Sequence, residues 1–210
     1  MSNADLTGLP TGNWNILPAA RVAPLERTQV RPLGRLTLWI IRRVEKTNGD
    51  YNVFGTLVRL GSIFPAHAIF LSQLLKRGRI ARAEKEQVIL RIAWRLGAVY
   101  EYGHHHLRAR QFGVTDAAIA AATTEDATDQ SSRIGALLAA ADELLATHTL
   151  SEETFTRVRR YASEDELVEL CVLVGHYSMI SMLLSTASVQ LEPEFTAALN
   201  SHRPDADAAR

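Results

Sequence analysis

The chain has 210 residues, of which 47% are hydrophobic, so it is long enough to fill a sizeable core. Lysine plus arginine (23) equals aspartate plus glutamate (23), and this zero net charge argues against a dedicated nucleic-acid-binding protein. Cys171 is the only cysteine, which excludes an intrachain disulfide, a CxxC redox pair and a thiolate-rich metal site. Any chemistry must therefore use oxygen and nitrogen groups.

Hydropathy and the first residues predict a soluble protein. No run of about 18 apolar residues is apparent, so we expect no membrane span. Asp5, Asn13 and Asn15 stand where a signal peptide would need an apolar stretch. These features predict a cytoplasmic protein with no membrane partner.

Proline placement divides the chain into a short irregular arm and a long helical body. Four of the seven prolines fall in the first 32 residues, and none lies between Ala66 and Glu192. Residues 1–33 are therefore predicted to form an N-terminal arm, in which Trp14 favours packing on the body or on a neighbouring subunit. Residues 34–192 form the predicted helical domain, followed by a C-terminal tail at 193–210.

Apolar residues recur at helical spacing through the body, and capping or turn residues separate the periods. Asp50 is predicted to cap the second helix, and Pro65 to lie in the first turn of the third. Thr115, Ser151 and a capping box at Ser163 open later helices. The predicted helices lie near residues 36–48, 50–61, 65–77, 83–96, 98–112, 115–122, 131–147, 151–160 and 163–184. No alternating strand pattern is present, so the predicted class is all-α.

The densest polar cluster in an apolar region lies around Gly97. Glu101 and His105 are one helical turn apart, so a carboxylate can orient an imidazole for acid–base catalysis. On one straight helix Glu86 would lie roughly 22 Å from Glu101, but a hairpin at Gly97 reduces its axial offset from His105 to about 4–5 Å. Two carboxylates beside one histidine in an apolar wall would push their proton affinities apart, providing one acid and one base.

These residues and several later segments resemble a known family. The segments are Glu86-x-Val88-Ile89-Leu90-Arg91, Tyr100-Glu101-Tyr102-x-x-His105, Arg108-x-x-x-x-Gly113, Asp142-Glu143-Leu144, Ser163 to Leu170 and Gly175-His176-Tyr177. They are similar to the carboxymuconolactone decarboxylase family, whose superfamily includes the AhpD-type alkylhydroperoxidases, over about residues 52–192. The resemblance implies an AhpD-like helical bundle with a helical hairpin carrying the site, and homo-oligomers with sites near subunit contacts.

The chain departs from AhpD-type members at the residues that carry their thiol chemistry. Those members have Cys-x-x-Cys-x-x-x-His on the hairpin and a glutamate upstream. In the same register this chain has Ala98 and Glu101 at the cysteine positions, His105 at the histidine and Glu86 at the glutamate. A thiol peroxidase would therefore lack both its reactive thiolate and its resolving partner.

The resemblance is thus to the cysteine-free, decarboxylase-like branch of the family. It implies a cofactor-independent lyase or isomerase that acts on a small organic acid or lactone, with Glu86, Glu101 and His105 as catalytic residues. Two alternatives stay open: a peroxide-linked oxidoreductase lacking the CxxC pair, and a non-catalytic oligomer that binds a hydrophobic ligand.

Four residues near this segment are candidate substrate contacts, namely Tyr102, Trp94, Arg91 and His176; Phe54 and Phe70 are further candidates for shaping the pocket. Arg91 is also interpretable as a helix-surface ion pair, and we favour that interpretation slightly. His176 is also interpretable as a packed core residue. Its segment, residues 166–189, faintly repeats residues 86–114 and suggests an internal pseudo-repeat.

No metal is expected at the cluster. Glu101 to His104 has the Glu-x-x-His spacing of di-iron bundles, but the second motif that such bundles need is missing. A mononuclear site made by Glu86, Glu101 and a histidine is a weaker alternative.

The remaining polar residues of this region have structural interpretations. One of His104 and His106 is expected to face solvent or a subunit, and Arg108 and Arg110 to be surface charges. Cys171 is expected to be a small buried hydrophobe. The run from Leu167 to Leu184 is apolar nearly all round, which predicts a dimer, trimer or hexamer that covers it.

Overall fold

The computed structural model describes residues 6–125 and 131–201. Within these ranges the chain forms ten α-helices, one short 3-10 helix at Val58–Leu60 and no strand, which confirms the all-α class. The helices are α1 Pro32–Glu45, α2 Asn52–Leu57, α3 Ile63–Arg77, α4 Arg82–Arg95, α5 Val99–Gln111, α6 Asp116–Ala122, α7 Arg133–Thr147, α8 Glu152–Arg159, α9 Glu164–Ala187 and α10 Pro193–Asn200.

Side-chain caps open three helices where the sequence predicts them. Thr115 accepts from the Ala118 backbone N–H at the start of α6, and Ser151 accepts from Thr154 at the start of α8. Ser163 opens α9 with a complete capping box, in which its side chain and that of a glutamate three residues later satisfy each other's backbone N–H groups.

Several boundaries differ from the sequence prediction, and α1 already begins at Pro32, inside the predicted arm. Asp50 does not cap α2, because Tyr51 holds the N-cap position without a side-chain hydrogen bond and Asp50 instead lies 3.3 Å from the Arg42 guanidinium. The segment assigned to a C-terminal tail begins with α10, which Pro193 starts and which packs on α5. The last residues of that tail, 202–210, and the first five of the arm lie outside the described residues.

Helix α4 lies at the centre of the bundle. It packs against α5, α6, α7 and α9, and its Val88, Ile89 and Ile92 are fully buried. On the other side of the core, α7 and α9 contribute Leu137 and Leu173 to the same cluster. Because α4 is enclosed on several faces, its polar side chains are also buried and must find partners inside the protein.

The turn between α4 and α5 is a tight hairpin at Gly97. This residue has φ of 63°, a conformation that favours glycine. A Cβ at this position would lie 2.1 Å from the Asn13 carbonyl oxygen, so the arm leaves no room for a side chain. The hairpin therefore depends on glycine for both its backbone conformation and its contact with the arm.

The arm forms no helix between residues 6 and 31, and part of it lies across this hairpin. The Asn15 backbone N–H donates to the Gly97 carbonyl over 2.9 Å, and the Trp94 indole donates to the Thr11 carbonyl over 2.8 Å. The Trp14 ring meets the Tyr102 ring edge-on, with centroids 5.1 Å apart. These contacts fix the turn that joins the two helices of the site.

Helix α9 is long and only partly covered. An 18-residue window within it has a mean hydropathy of 1.8, so the sequence-based statement that no stretch could span a membrane is too strict. The helix nevertheless packs on α4 and α7, as the core helix of a globular bundle does. It is also one continuous helix, whereas residues 86–114, its suggested repeat, break into α4 and α5 at Gly97.

Candidate active site

Glu86, Glu101 and His105 converge although they come from two helices. The His105 Nδ1 atom lies 2.6 Å from Glu86 Oε2, and its Nε2 atom lies 3.2 Å from Glu101 Oε2. Glu86 has no solvent-exposed surface, and the other two side chains are also buried. The imidazole therefore lies between two carboxylates, one at each ring nitrogen.

The charges of this group favour an imidazolium. Burial alone would lower the pKa of His105, but the charges and hydrogen bonds of Glu86 and Glu101 outweigh it and raise this pKa above its ordinary value. Burial would likewise raise the pKa of Glu86, but His105 and Arg82 lower it below the usual range. The two shifts agree, because each charged partner stabilises the other.

Arg82 completes the environment of Glu86, and the sequence interpretation missed it. Its Nη2 atom lies 2.5 Å from Glu86 Oε1, one turn earlier on α4, and its guanidinium lies over the Phe112 ring. The i,i+4 spacing of the two residues was the signal available in the sequence. Arg82 therefore pairs with Oε1 of Glu86, whereas His105 contacts Oε2 of the same carboxylate.

A cavity of about 770 Å³ opens beside this group. Glu101 and His105 line it, whereas Glu86 lies behind the imidazole and does not. Most of the wall is apolar and comes from α1, α2, α3 and α9, with Ile40, Phe54 and Ile180 among its residues. The Nε2 side of His105 therefore faces a space that can hold a ligand, and its Nδ1 side faces the protein.

A second buried carboxylate, which was not predicted, contacts two residues of the cavity wall, Tyr100 and His104. The Glu192 carboxylate accepts from the Tyr100 hydroxyl over 2.7 Å, and its other oxygen lies 2.6 Å from His104 Nε2. Burial lowers the pKa of His104 despite the effect of Glu192, so the ring is neutral at pH 7 and donates its Nε2–H. No sequence motif predicts the role of Glu192, because Tyr100 and His104 lie about ninety residues before it in the chain.

Three of the four predicted substrate contacts do not line the cavity. Arg91 is fully buried and makes a bidentate pair with Asp142, at 2.8 and 2.6 Å. The Trp94 ring packs against the Arg91 and Arg95 guanidinium groups, and Tyr102 packs in a core cluster with Trp14. These side chains lie on faces of α4 and α5 that point away from the cavity, so they support the hairpin and do not bind the substrate in this space.

His176 lies on the cavity wall, as predicted, and Phe54 also lines it. Phe70, named with Phe54, is not among the lining residues but lies 5.3 Å from the His176 ring, centroid to centroid. Tyr177, the next residue on α9, meets the His105 ring edge-on at 5.1 Å. Residues of α9 thus complete the site that α4 and α5 begin.

Several structural interpretations from the sequence are wrong. His104, His105 and His106 are all buried, so neither neighbour of His105 faces solvent. Arg108 is not a surface charge: its guanidinium pairs with Glu45 over 2.7 Å at the cavity wall. Arg110 does pair at the surface, with Asp116.

Cys171 is exposed, contrary to the expectation that it is a buried hydrophobe. The helical periodicity of an all-apolar segment does not show which face meets the core, and Cys171 falls on the outer face of α9. The thiol is absent from the cavity wall.

Among residues 6–125 and 131–201, no group of three or more histidine, cysteine, aspartate or glutamate side chains is arranged to hold a metal ion.

The comparisons with solved structures give the fold. The chain superposes with a TM-score of 0.74 and 18% identity on an uncharacterised peroxidase-related protein from Ralstonia eutropha JMP134 described as an alkylhydroperoxidase AhpD core, covering 86% of this chain and 96% of that one. It superposes with a TM-score of 0.70 and 19% identity on a variant of the debrominase Bmp8 in complex with 2,3,4-tribromopyrrole, covering 88% of this chain and 98% of that one. It also superposes with a TM-score of 0.70 and 14% identity on an uncharacterised peroxidase-related protein from Silicibacter sp. TM1040, covering 83% of this chain and 94% of that one.

The sequence comparisons give a likeness to one family over part of the chain. No curated protein matches the chain. Residues 64–143, which include the whole α4–α5 hairpin, match the model of the carboxymuconolactone decarboxylase family. This segment is similar to the carboxymuconolactone decarboxylase family, and the chain has the AhpD-like helical fold.

Proposed function

We propose that this protein is a cofactor-independent enzyme of the carboxymuconolactone decarboxylase type, a lyase or isomerase that acts on a small organic acid or lactone. The observation that carries the proposal is the buried Glu86–His105–Glu101 array, whose His105 and Glu101 face a largely apolar cavity. Decarboxylation, isomerisation and lactone chemistry all require a proton to be moved to or from carbon or oxygen, and this array is built to move one.

The three residues have different roles in this proposal. Glu86 holds Nδ1 of His105 from the protein side, and so fixes the ring and leaves Nε2 for the reaction. Glu101, beside Nε2 at the cavity wall, accepts the proton from the substrate or receives it from the imidazolium. This division differs from the sequence-based hypothesis that Glu101 orients the His105 imidazole, because Glu86 makes the shorter contact, at the nitrogen on the protein side.

The cavity supports a small organic substrate. Its apolar wall favours a carbon skeleton, and its low polarity strengthens electrostatic effects on a developing charge. Arg82 and Arg108 also line it and supply positive charge at the polar end, where a carboxylate or lactone oxygen would lie.

Turnover of a defined panel tests the proposal. Purified protein is incubated with 4-carboxymuconolactone and a series of small lactones and unsaturated acids, and products are followed by NMR in H2O and D2O. We expect consumption of at least one compound, with solvent deuterium incorporated at carbon, and loss of that activity in His105→Gln. A panel consumed equally well by His105→Gln would contradict the proposal.

A thiol peroxidase mechanism has little support at this cavity. Burial raises the pKa of the Cys171 thiol, which disfavours the reactive thiolate, and the residue lies outside the cavity wall. A non-catalytic ligand-binding protein is the second candidate, because the apolar cavity suits a hydrophobic molecule. Binding of such a molecule without turnover in the panel would favour it.

We also propose that the protein is a homo-oligomer. Several apolar side chains of α9 lie on one exposed stripe, with Val168 at 64% and Met182 at 61% exposure. Val172 and Met179 continue the stripe, and a Cβ at Gly175 would meet only open space. A second copy of the chain would cover this surface, since large exposed apolar patches commonly mark protein contacts.

A further inference from the structure

Two histidines outside the acid–base group stack on each other. His67 of α3 and His176 of α9 have ring centroids 5.2 Å apart and ring planes inclined by 25°. Phe70 lies beside the His176 ring, and the Tyr177 ring meets it edge-on. The pair is therefore held in a defined arrangement by aromatic neighbours.

Three nitrogen atoms of this pair are buried without a hydrogen-bond partner among the described residues. They are Nδ1 and Nε2 of His67 and Nε2 of His176. A buried polar atom without a partner costs about 1–3 kcal/mol, and folded proteins retain few of them. Three such atoms on two adjacent rings are an unusual concentration, and a molecule bound at His176 would give its Nε2 atom a partner.

One member of the pair, His176, lies where a molecule in the cavity would reach it, whereas His67 is not among the lining residues. His176 lines the cavity and is only 6% exposed. The charges of Glu101 and His105 both act on the pKa of His176, so the acid–base group is close by. A ligand bound at His176 would therefore lie against the proposed proton-transfer group.

The pair is uncharged at neutral pH. Burial, followed by the neighbouring His67, lowers the pKa of His176 to about 4, and burial lowers the pKa of His67. A neutral imidazole offers one donor and one acceptor, and a hydroxyl group can satisfy either one because it both donates and accepts. A carboxylate would find no positive charge on these rings and would face the nearby Glu101.

We propose that His176, held in place by its stacking on His67, forms a recognition site for a hydroxyl group carried by an apolar, ring-sized ligand, the chemical class of a phenol or enol. The site gives the ligand an orientation in which its carbon skeleton fills the apolar cavity and its hydroxyl group meets His176 Nε2. The inference rests on the proposed function in one respect: it names a polar group of the substrate on which Glu101 and His105 act.

Binding of three matched probes tests the site without any turnover. Phenol, toluene and benzoate are titrated by calorimetry at pH 7 into the wild-type protein and into His176→Phe, which keeps an aromatic ring but removes both nitrogens. We expect His176→Phe to weaken phenol binding about 3- to 10-fold, the effect of one lost hydrogen bond, and to leave toluene binding within twofold. Comparing the two probes cancels any general effect on the cavity.

The same titration in His105→Gln separates this inference from the proposed function. If the site is correct, phenol still binds to His105→Gln even where all catalytic activity is lost. Adding His176→Phe to that variant should weaken phenol binding as it does in the wild type. Equal effects of His176→Phe on phenol and toluene would overturn the inference. A dependence on His176 found for benzoate and not for phenol would overturn it as well, in favour of an anion site.

A measurement on the unaltered protein covers the case in which His176→Phe does not fold. The imidazole 15N signals of His67 and His176 are followed by NMR during titration with phenol and with toluene. We expect phenol alone to shift at least one Nε2 signal, because only phenol forms a hydrogen bond. Identical responses to the two probes would contradict the inference.

Discussion

Glu86 accepts a hydrogen bond from the Nδ1–H group of His105 over 2.6 Å, although nineteen residues separate them in the sequence. The hairpin at Gly97 makes this contact possible by folding α5 back along α4. The second nitrogen of the same ring faces Glu101 and the cavity. A buried carboxylate thereby orients an imidazole whose other side is open to a ligand.

Replacement of His105 tests the proposed proton transfer. We expect His105→Gln to reduce turnover by about 10²–10⁴, because it removes a general acid–base group. The exposed His148 serves as the matched control, and His148→Asn should keep full activity. Turnover is compared with thermal unfolding of the same samples. Full activity per folded molecule in His105→Gln would contradict the acid–base role.

Replacement of Glu86 tests the orienting role. In Glu86→Gln the buried charges of His105 and Arg82 lose their shared partner, so we expect the free energy of unfolding to fall by about 3–5 kcal/mol. The pKa of His105 should fall as well, because one of the two carboxylates that raise it is gone. Histidine NMR titration and denaturant unfolding measure the two effects. An unchanged His105 titration would rule out this coupling.

The ion pair between Glu86 and His105 should make stability depend on pH. The raised pKa of His105 gives a contribution that is complete below its ordinary value of 6.5 and is lost as pH rises through its folded value. The lowered pKa of Glu86 gives a contribution that is complete above its ordinary value of 4.5 and is lost as pH falls through its folded value.

The stability difference between the wild type and His105→Gln should therefore be largest between pH 4.5 and 6.5 and decrease on both sides. Unfolding curves from about pH 4 to about pH 9 measure it. A difference that stays constant over this range would show that His105 contributes packing and no charge.

The arm's contact with the hairpin can be isolated by two glycine substitutions. Gly97 and Gly113 both have positive φ, but a Cβ meets the Asn13 carbonyl only at Gly97 and open space at Gly113. We expect Gly113→Ala to destabilise by roughly 1–2 kcal/mol, the cost of a left-handed alanine, and Gly97→Ala by clearly more. Equal losses in denaturant unfolding would show that the arm does not restrain the turn.

The exposed apolar stripe on α9 predicts that the protein forms a homo-oligomer. Light scattering should report a mass above the 23.2 kDa of one chain at micromolar concentration, and Val172→Asp should reduce it towards that value. Thr149, exposed between α7 and α8 and outside the stripe, provides the control Thr149→Asp. A wild-type monomer would refute the assembly.

Cys171 should be dispensable for catalysis. Because the thiol is absent from the cavity wall, Cys171→Ser should leave turnover within twofold of the wild type. Activity towards an organic hydroperoxide that disappears in Cys171→Ser would restore the peroxidase alternative.

The sequence by itself determined the helical class, most helix boundaries and the pairing of Glu101 with His105. These features depend on local periodicity, on caps such as Ser163 and on a spacing of one helical turn, all of which can be read along a single segment. The contact of Glu86 with His105 was also predictable, since one glycine hairpin joins the two helices that carry them.

Only the tertiary structure decided which faces of those helices meet the cavity. Arg91, Trp94 and Tyr102 are close to the site in sequence but point into the protein. Glu192 and His67, which are distant in sequence, contact the cavity residues His104 and His176. The burial of His104 and the exposure of Cys171 were decided in the same way. In a helix that is apolar or polar all round, periodicity does not specify a direction, and the packing of α9, α10 and the arm supplies it.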